Sequence, residues 1–410
     1  MNLFDISAVL LSASAICSYL NYKWIKLPPA IGLLLLAMGL SLLGIMLNKA
    51  GIISNHYVEI LLSNINFSET IFHGMLSFLL FAGALQINIE DLKRARIPIA
   101  ITATISTLLS TIIIGASFYY LANLLGFTSI TLLYALLFGA IVSPTDPIAV
   151  LSIIRKMKAS KKIETTFIGE SLFNDGVAIA IFLTILKLIS VSGEINISDV
   201  ISILLIEVGG GILFGAVTGW IAYHMLIRVN NYSVELFITL AVASGGYALA
   251  EKLSLSAPLA MVVAGIIIGN HGRDSMSSGS MNHVDLFWEA LDEILNAVLF
   301  FLIGLEMMVI NATATTIILS TACIIIALIA RFISIAIPLS ILKPLYYSTP
   351  GTIISLTWGG LRGALSIAMV LSLQQESIKE IFLPCIYLVV IFSIAVQGLT
   401  LKKVLKKFKI

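Results

Sequence analysis

Apolar runs of roughly 20 residues recur along almost the whole chain, and lipid leaves such runs few options. With no water to satisfy backbone amides, a spanning segment must be a helix or a strand of a closed barrel, and runs this long and continuous are helical. Of 410 residues, 59% are hydrophobic and 11% charged, far from the balance of a soluble domain. The expected fold class is therefore an all-α polytopic membrane protein. Hydropathy gives about thirteen transmembrane helices: 4–22, 29–48, 68–87, 97–124, 130–153, 164–190, 198–227, 232–250, 255–270, 285–309, 313–342, 350–373 and 380–401. The start, Met1-Asn2-Leu3-Phe4-Asp5, lacks the positive segment of a secretory signal, so the first run counts as a span.

Orientation follows from where positive charge falls. With the N-terminus outside, Lys23, Lys26, Lys93, Arg94, Arg96, Arg155, Lys156, Lys158, Lys161, Lys162, Arg228, Arg273, Lys343 and the five lysines from Lys402 to Lys409 lie inside. These 18 oppose Lys49, Lys252 and Lys379 outside, and Lys187, Arg331 and Arg362 within spans complete the 24. The bias predicts an outside N-terminus and a cytoplasmic C-terminus. Cys17, Cys323 and Cys385 sit in apolar runs, with no disulfide framework or metal spacing. No linker marks off a soluble domain, and a single transmembrane domain over 1–410 is expected. The short tail and the Lys and Ile content point to a prokaryotic plasma-membrane protein.

Two of the apolar runs are interrupted by acids. Ser143-Pro144-Thr145-Asp146-Pro147 is followed, after the basic loop 155–162, by Gly169-Glu170-Ser171-Leu172-Phe173-Asn174-Asp175-Gly176. At about 1.5 Å per helical residue, Asp146 lies roughly 13 Å from Arg155 and Asp175 roughly 20 Å from Lys162. Both carboxylates thus fall near the middle of a layer about 30 Å thick, where an ionisable group marks a functional site. A second broken region, Trp358-Gly359-Gly360-Leu361-Arg362-Gly363-Ala364, occupies the twelfth span. It lies an odd number of spans after the fifth and so runs the opposite way. Interrupted helices at matching places in oppositely oriented halves point to a transporter's midplane site, with spans 1–6 and 8–13 as inverted repeats and helices 5 and 12 unwound.

Pro144 and Pro147 each remove a backbone donor and leave carbonyls unpaired around Thr145-Asp146. Carbonyls, the Thr145 hydroxyl and a carboxylate are oxygen ligands suited to a hard monovalent cation. On the sixth span the helical period brings Ser171 and Asp175 onto one face and turns Glu170 and Asn174 to a neighbouring one. Glu170 then needs a basic partner; Arg331 and Arg362 are the candidates, with Arg331 preferred. A carboxyl group in a desolvated cavity titrates closer to neutrality than in water, and a cation beside it drives the proton off. One site, two mutually exclusive charges: this is the physics of exchange.

These residues resemble the monovalent cation:proton antiporter family of the NhaP and sodium/proton exchanger type. The likeness rests on Thr145-Asp146 between prolines, the Gly169-Glu170-Ser171 to Asn174-Asp175-Gly176 run, Arg331, and Gly360-Leu361-Arg362-Gly363-Ala364, and the span plan extends it over the whole chain. The resemblance implies an NhaA-like antiporter fold and exchange of Na+ (or Li+) for H+, serving pH homeostasis. It implies that Asp175 binds cation and proton alternately, in an Na+ site with Asp146, Thr145 and Ser171, and that Asn174 completes or supports the site, directly or through water. Electrogenic relatives carry an acid where Asn174 stands, so electroneutral exchange is implied. A core bundle, approximately 97–192 and 313–401, would move against an interface bundle, approximately 1–90 and 198–309, that joins a homodimer. The partners implied are cations, protons and lipid; no cofactor and no nucleic acid enter. Where some relatives carry a third-span acid, this chain reads Leu80-Phe81-Ala82-Gly83-Ala84, so Ala82 leaves the ion preference open.

K+/H+ exchange is the rival within this class, because ion choice depends on cavity dimensions and ligand field. An intramembrane aspartyl protease would also put two aspartates on adjacent spans, but with a Gly-x-Gly-Asp run that is absent here; the chain is read as a transporter, not an enzyme. Glu289, Asp292 and Glu293 open the tenth span on its cytosolic side, where the helix macrodipole favours acids; a cation-attracting funnel is the alternative. Gly211, Gly215 and Gly219 suit close internal packing. Lys187 reads as snorkelling from a span end. His56, His73, His224, His271 and His283 are scattered, and Glu207 has no evident partner.

Overall fold

The computed structural model describes residues 3–51, 74–157, 161–190, 197–272, 278–307, 313–341 and 350–408. Lys158, Arg273, Lys343, Lys409, His56 and His73 lie outside the described residues. The described chain forms helices α1 (Leu3–Leu20), α2 (Pro29–Lys49), α3 (Gly74–Leu85), α4 (Ile89–Leu124), α5 (Leu132–Val142), α6 (Ile148–Met157), α7 (Lys161–Ser190) and α8 (Ile197–Leu226). They continue as α9 (Tyr232–Lys252), α10 (Ala257–Gly272), α11 (Ser278–Glu306), α12 (Ala314–Ile341), α13 (Pro350–Trp358), α14 (Ala364–Leu371) and α15 (Glu376–Lys407). Seven of these, α2, α4, α7, α8, α9, α12 and α15, are long and apolar enough to cross a membrane alone. The chain is a multi-pass membrane protein.

Local chemistry sets the helix ends. Asn88 caps α4 by accepting from the Glu90 and Asp91 amides, Thr131 caps α5, and Asn231 caps α9. Pro98 inside α4 removes one ladder bond, and a π turn follows over Thr102–Ser106, where the Thr102 hydroxyl returns to the Pro98 carbonyl at 2.9 Å.

Helices α4, α5, α7, α12 and α15 pack on one another, and α1, α2, α3, α8, α10 and α11 form the other set of contacts. The Phe118, Phe138 and Phe382 rings, with centroids 3.9 to 5.6 Å apart, tie α4 and α5 to α15. In the second set Trp288 of α11 lies 4.8 Å from the Phe81 ring and donates to Thr239 of α9 at 3.1 Å. Helix α11 touches both groups, through α3 on one side and α14 on the other.

The glycine stripe of α8 meets α10. A Cβ at Gly211 would stand 2.6 Å from the Ser256 carbonyl oxygen, and one at Gly215 2.4 Å from that of Ala260. The stripe thus serves internal packing. Gly215→Val must push the two helices apart, at about 1–3 kcal/mol; a lowered midpoint of thermal unfolding in detergent is expected, and an unchanged midpoint would contradict this close approach.

Two expectations are corrected. Lys187 is not a lone snorkelling lysine: its ammonium meets the buried Glu207 carboxylate, so α7 and α8 share an ion pair. The acids of the tenth span do not open a helix, because α11 already begins at Ser278. Residues 278–284, Ser-Gly-Ser-Met-Asn-His-Val, are too polar to score as a span but continue the helix beyond it.

Crossing of two interrupted helices

The break between α5 and α6 is chemically forced. Pro144 and Pro147 cannot donate, and the carbonyls left at the end of α5 need other partners. Arg362 supplies them: its Nη1 donates to the Ser143 carbonyl and, at 2.9 Å, to that of Pro144. Arg362 itself lies in the break between α13 and α14, where its backbone amide donates to Ser393 Oγ at 2.8 Å. The two breaks touch directly. The Asp146 amide donates to the Leu361 carbonyl at 2.7 Å, an antiparallel bridge between non-helical segments. Gly363 permits it, since a Cβ there would stand 2.3 Å from Asp146 Oδ2.

Helix α7 closes the site from the side. The Ser171 hydroxyl donates to the Thr145 carbonyl. Asn174 Nδ2 donates to Thr145 Oγ1 at 2.8 Å, and the Thr145 amide lies 3.4 Å from Asn174 Oδ1. Thr145, Ser171 and Asn174 are buried, whereas Asp146 and Asp175 are half-buried. The Asp146 charge is felt at Asp175. In one point this departs from the helical-wheel grouping: Asn174 joins Ser171 on Thr145, at a spacing of three that also shares a face, while Glu170 turns away.

Glu170 meets Arg331 of α12, Nη2 to Oε1 at 2.5 Å, with both side chains buried. The contact is ionic and not an aligned hydrogen bond; Arg331 Nη2 also reaches the Leu356 carbonyl at 3.3 Å. Gly360 gives the guanidinium room, since a Cβ there would stand 2.5 Å from its Nε. Arg331 is thus spent on Glu170 and Arg362 on the end of α5, and neither pairs with Asp175. Ala82 is fully buried on α3.

Ser393 escaped the sequence reading, and so did the reason for Gly363. Ser393 lies inside an apolar run on another span, where nothing in its spacing points to the Arg362 amide. Gly363 belonged to a recognised motif, but its reason, close approach by Asp146, is visible only with both breaks present. Among the described residues no cluster of three or more His, Cys, Asp or Glu is placed to hold a metal. Two carboxylates thus stand among hydroxyl and carbonyl oxygens at the crossing, donors of the kind that hard cations take.

A family model described as "Sodium/hydrogen exchanger, transmembrane" matches residues 10–407. The chain is 39% identical to the Na(+)/H(+) antiporter NhaP of Pseudomonas aeruginosa over 99% of this chain and 97% of the relative. It is 33% identical to the Na(+)/H(+) antiporter NhaH of Halobacillus aidingensis, over 98% and 97%. In fold it is similar to the sodium proton antiporter MjNhaP1 of Methanocaldococcus jannaschii, with a TM-score of 0.76 and 19% identity over 100% of this chain and 99% of the other.

Proposed function

The chain belongs to the sodium/hydrogen exchanger family, and from that premise we propose that it exchanges Na+ or Li+ for H+ across the cytoplasmic membrane, one cation per proton, at Asp175. Half-burial of Asp175 beside the Asp146 charge, with both buried arginines engaged elsewhere, is the observation that carries the proposal. Two neighbouring carboxylates attract either a proton or a cation, and each lowers the affinity for the other. Thr145, Ser171 and Asn174 hold the unwound segment and offer its oxygens. The Asn174 amide, committed to Thr145, adds no charge, which supports electroneutral exchange.

Thirteen crossings follow if α5 with α6 and α13 with α14 each count as one. The core, approximately 97–192 and 313–401, then moves against the remainder, 1–90 and 198–309, in an elevator-like alternation between an outside N-terminal side and a cytoplasmic C-terminal side. The remainder carries the homodimer contact.

The test is dissipation of an imposed pH gradient in proteoliposomes, with Na+, Li+ and K+ titrated separately at several pH values. Na+ and Li+ are expected to collapse the gradient. Because the proton competes for the site, the apparent KM for Na+ should rise as pH falls, approaching about tenfold per pH unit once the proton dominates. A KM independent of pH would overturn competition, and a response to K+ in place of Na+ would favour K+/H+ exchange.

A further inference from the structure

Half-way along α11 an acid and an amide interrupt a stripe that is otherwise apolar. Trp288, Asp292, Asn296, Phe300 and Ile303 follow at helical spacing. Trp288, Phe300 and Ile303 belong to the buried core. Asp292 is half-buried, and Asn296, only 6% exposed, donates from Nδ2 to Asp292 Oδ1 at 3.1 Å. The Asn296 Oδ1 itself is buried without a partner among the described residues. Glu289 and Glu293 turn to the exposed side of the helix.

The usual reasons for an acid here do not apply. Asp292 lies fourteen residues after Ser278 and fourteen before Glu306, far beyond the first turn in which the macrodipole acts. Among the described residues its polar contact is Asn296, and the charges it feels are acidic: Asp146 foremost, then Glu293 and Glu289. Helix α11 packs against α14, which follows the break that holds Asp146. Asp292 therefore confronts the crossing from the opposite set of helices. Like charges gathered beside an orphaned amide oxygen are costly unless something cationic visits them.

Building on the exchange reading above, we infer that Asp292 and Asn296 Oδ1 form a second, weaker station for a monovalent alkali cation, from which the ion passes to Asp146 and Asp175. The station lies on the set of helices proposed to stay still, so the ion waits at the boundary across which the core moves. Its carboxylate raises the local cation concentration, and the amide oxygen replaces part of the hydration shell.

The test measures KM and kcat for Na+ in the same proteoliposome assay. Asp292→Asn, which keeps the shape and the Asn296 contact, is expected to raise KM about tenfold with kcat within about twofold, the signature of lost ion attraction. Asp292→Glu should restore KM to within about threefold, a rescue that a purely structural role would not give. Asn296→Ala removes only the amide and should raise KM about threefold; it carries the test if Asp292→Asn fails to insert. Glu90→Gln, on an exposed first turn of α4, should leave both constants unchanged. An unaltered KM in the Asp292 or Asn296 variant, or a fall in kcat alone, would overturn the station while leaving wild-type exchange standing. A wild-type protein that moves no protons in response to Na+ would instead overturn the exchange reading, and the station with it.

Discussion

Asp175→Asn is expected to abolish cation-dependent proton movement while the protein still inserts and folds. The substitution keeps the volume and one carbonyl oxygen, so a neutral ligand of similar shape remains at the crossing. What disappears is the ability to hold a proton and release it to a cation, and no other half-buried acid on α7 stands beside Asp146. Exchange should fall by at least about a hundredfold, the scale on which loss of a proton-carrying group is felt. Stability should hold or rise slightly, because a like charge next to Asp146 has been removed. Fluorescence recovery after Na+ addition to acid-loaded proteoliposomes reads the first effect, and thermal unfolding in detergent the second. Retention of more than a tenth of wild-type exchange would exclude Asp175 as the site of competition.

The helical plan and both breaks were legible because their causes are local. Pro144 and Pro147, only three residues apart, and Gly359, Gly360 and Gly363, clustered within one apolar run, weaken the helix locally and mark where it can open. The contact between the breaks was not legible: the hydrogen bond from Asp146 to Leu361 joins segments far apart in sequence, and it depends on how the halves pack. The same limit explains Glu207 and Lys187, whose pairing requires α7 and α8 side by side at matching depth. For α11 hydropathy gave a membrane boundary, and a helix has no obligation to begin there. The grouping on α7 went astray for a subtler reason, since spacings of three and four both share a face, and Thr145 offered Asn174 both an acceptor and a donor. Ion identity belongs to cavity dimensions and ligand field, which no periodicity encodes.

Arg331→Leu is expected to destabilise the protein by about 3–5 kcal/mol, the cost of stranding one member of a buried ion pair. Among the described residues neither Glu170 oxygen has an aligned hydrogen-bond donor, so without the guanidinium it becomes an uncompensated charge in the core. Glu170→Gln should cost less, because the remaining Arg331 keeps the Leu356 carbonyl and the new side chain is neutral. The double variant Glu170→Leu with Arg331→Leu should recover part of the loss, leaving a coupling of roughly 1–3 kcal/mol between the positions. Thermal and denaturant unfolding of the purified variants yields the cycle; strictly additive losses would mean that the contact contributes nothing of its own. Transport should suffer in Arg331→Leu as well, since the guanidinium fills the space left by Gly360 and braces the second break, and Leu361 in that break is what holds Asp146 at the crossing. The ion pair thus acts on exchange through backbone position and not by touching the ion, so restoring neutrality in the double variant should recover stability more fully than activity.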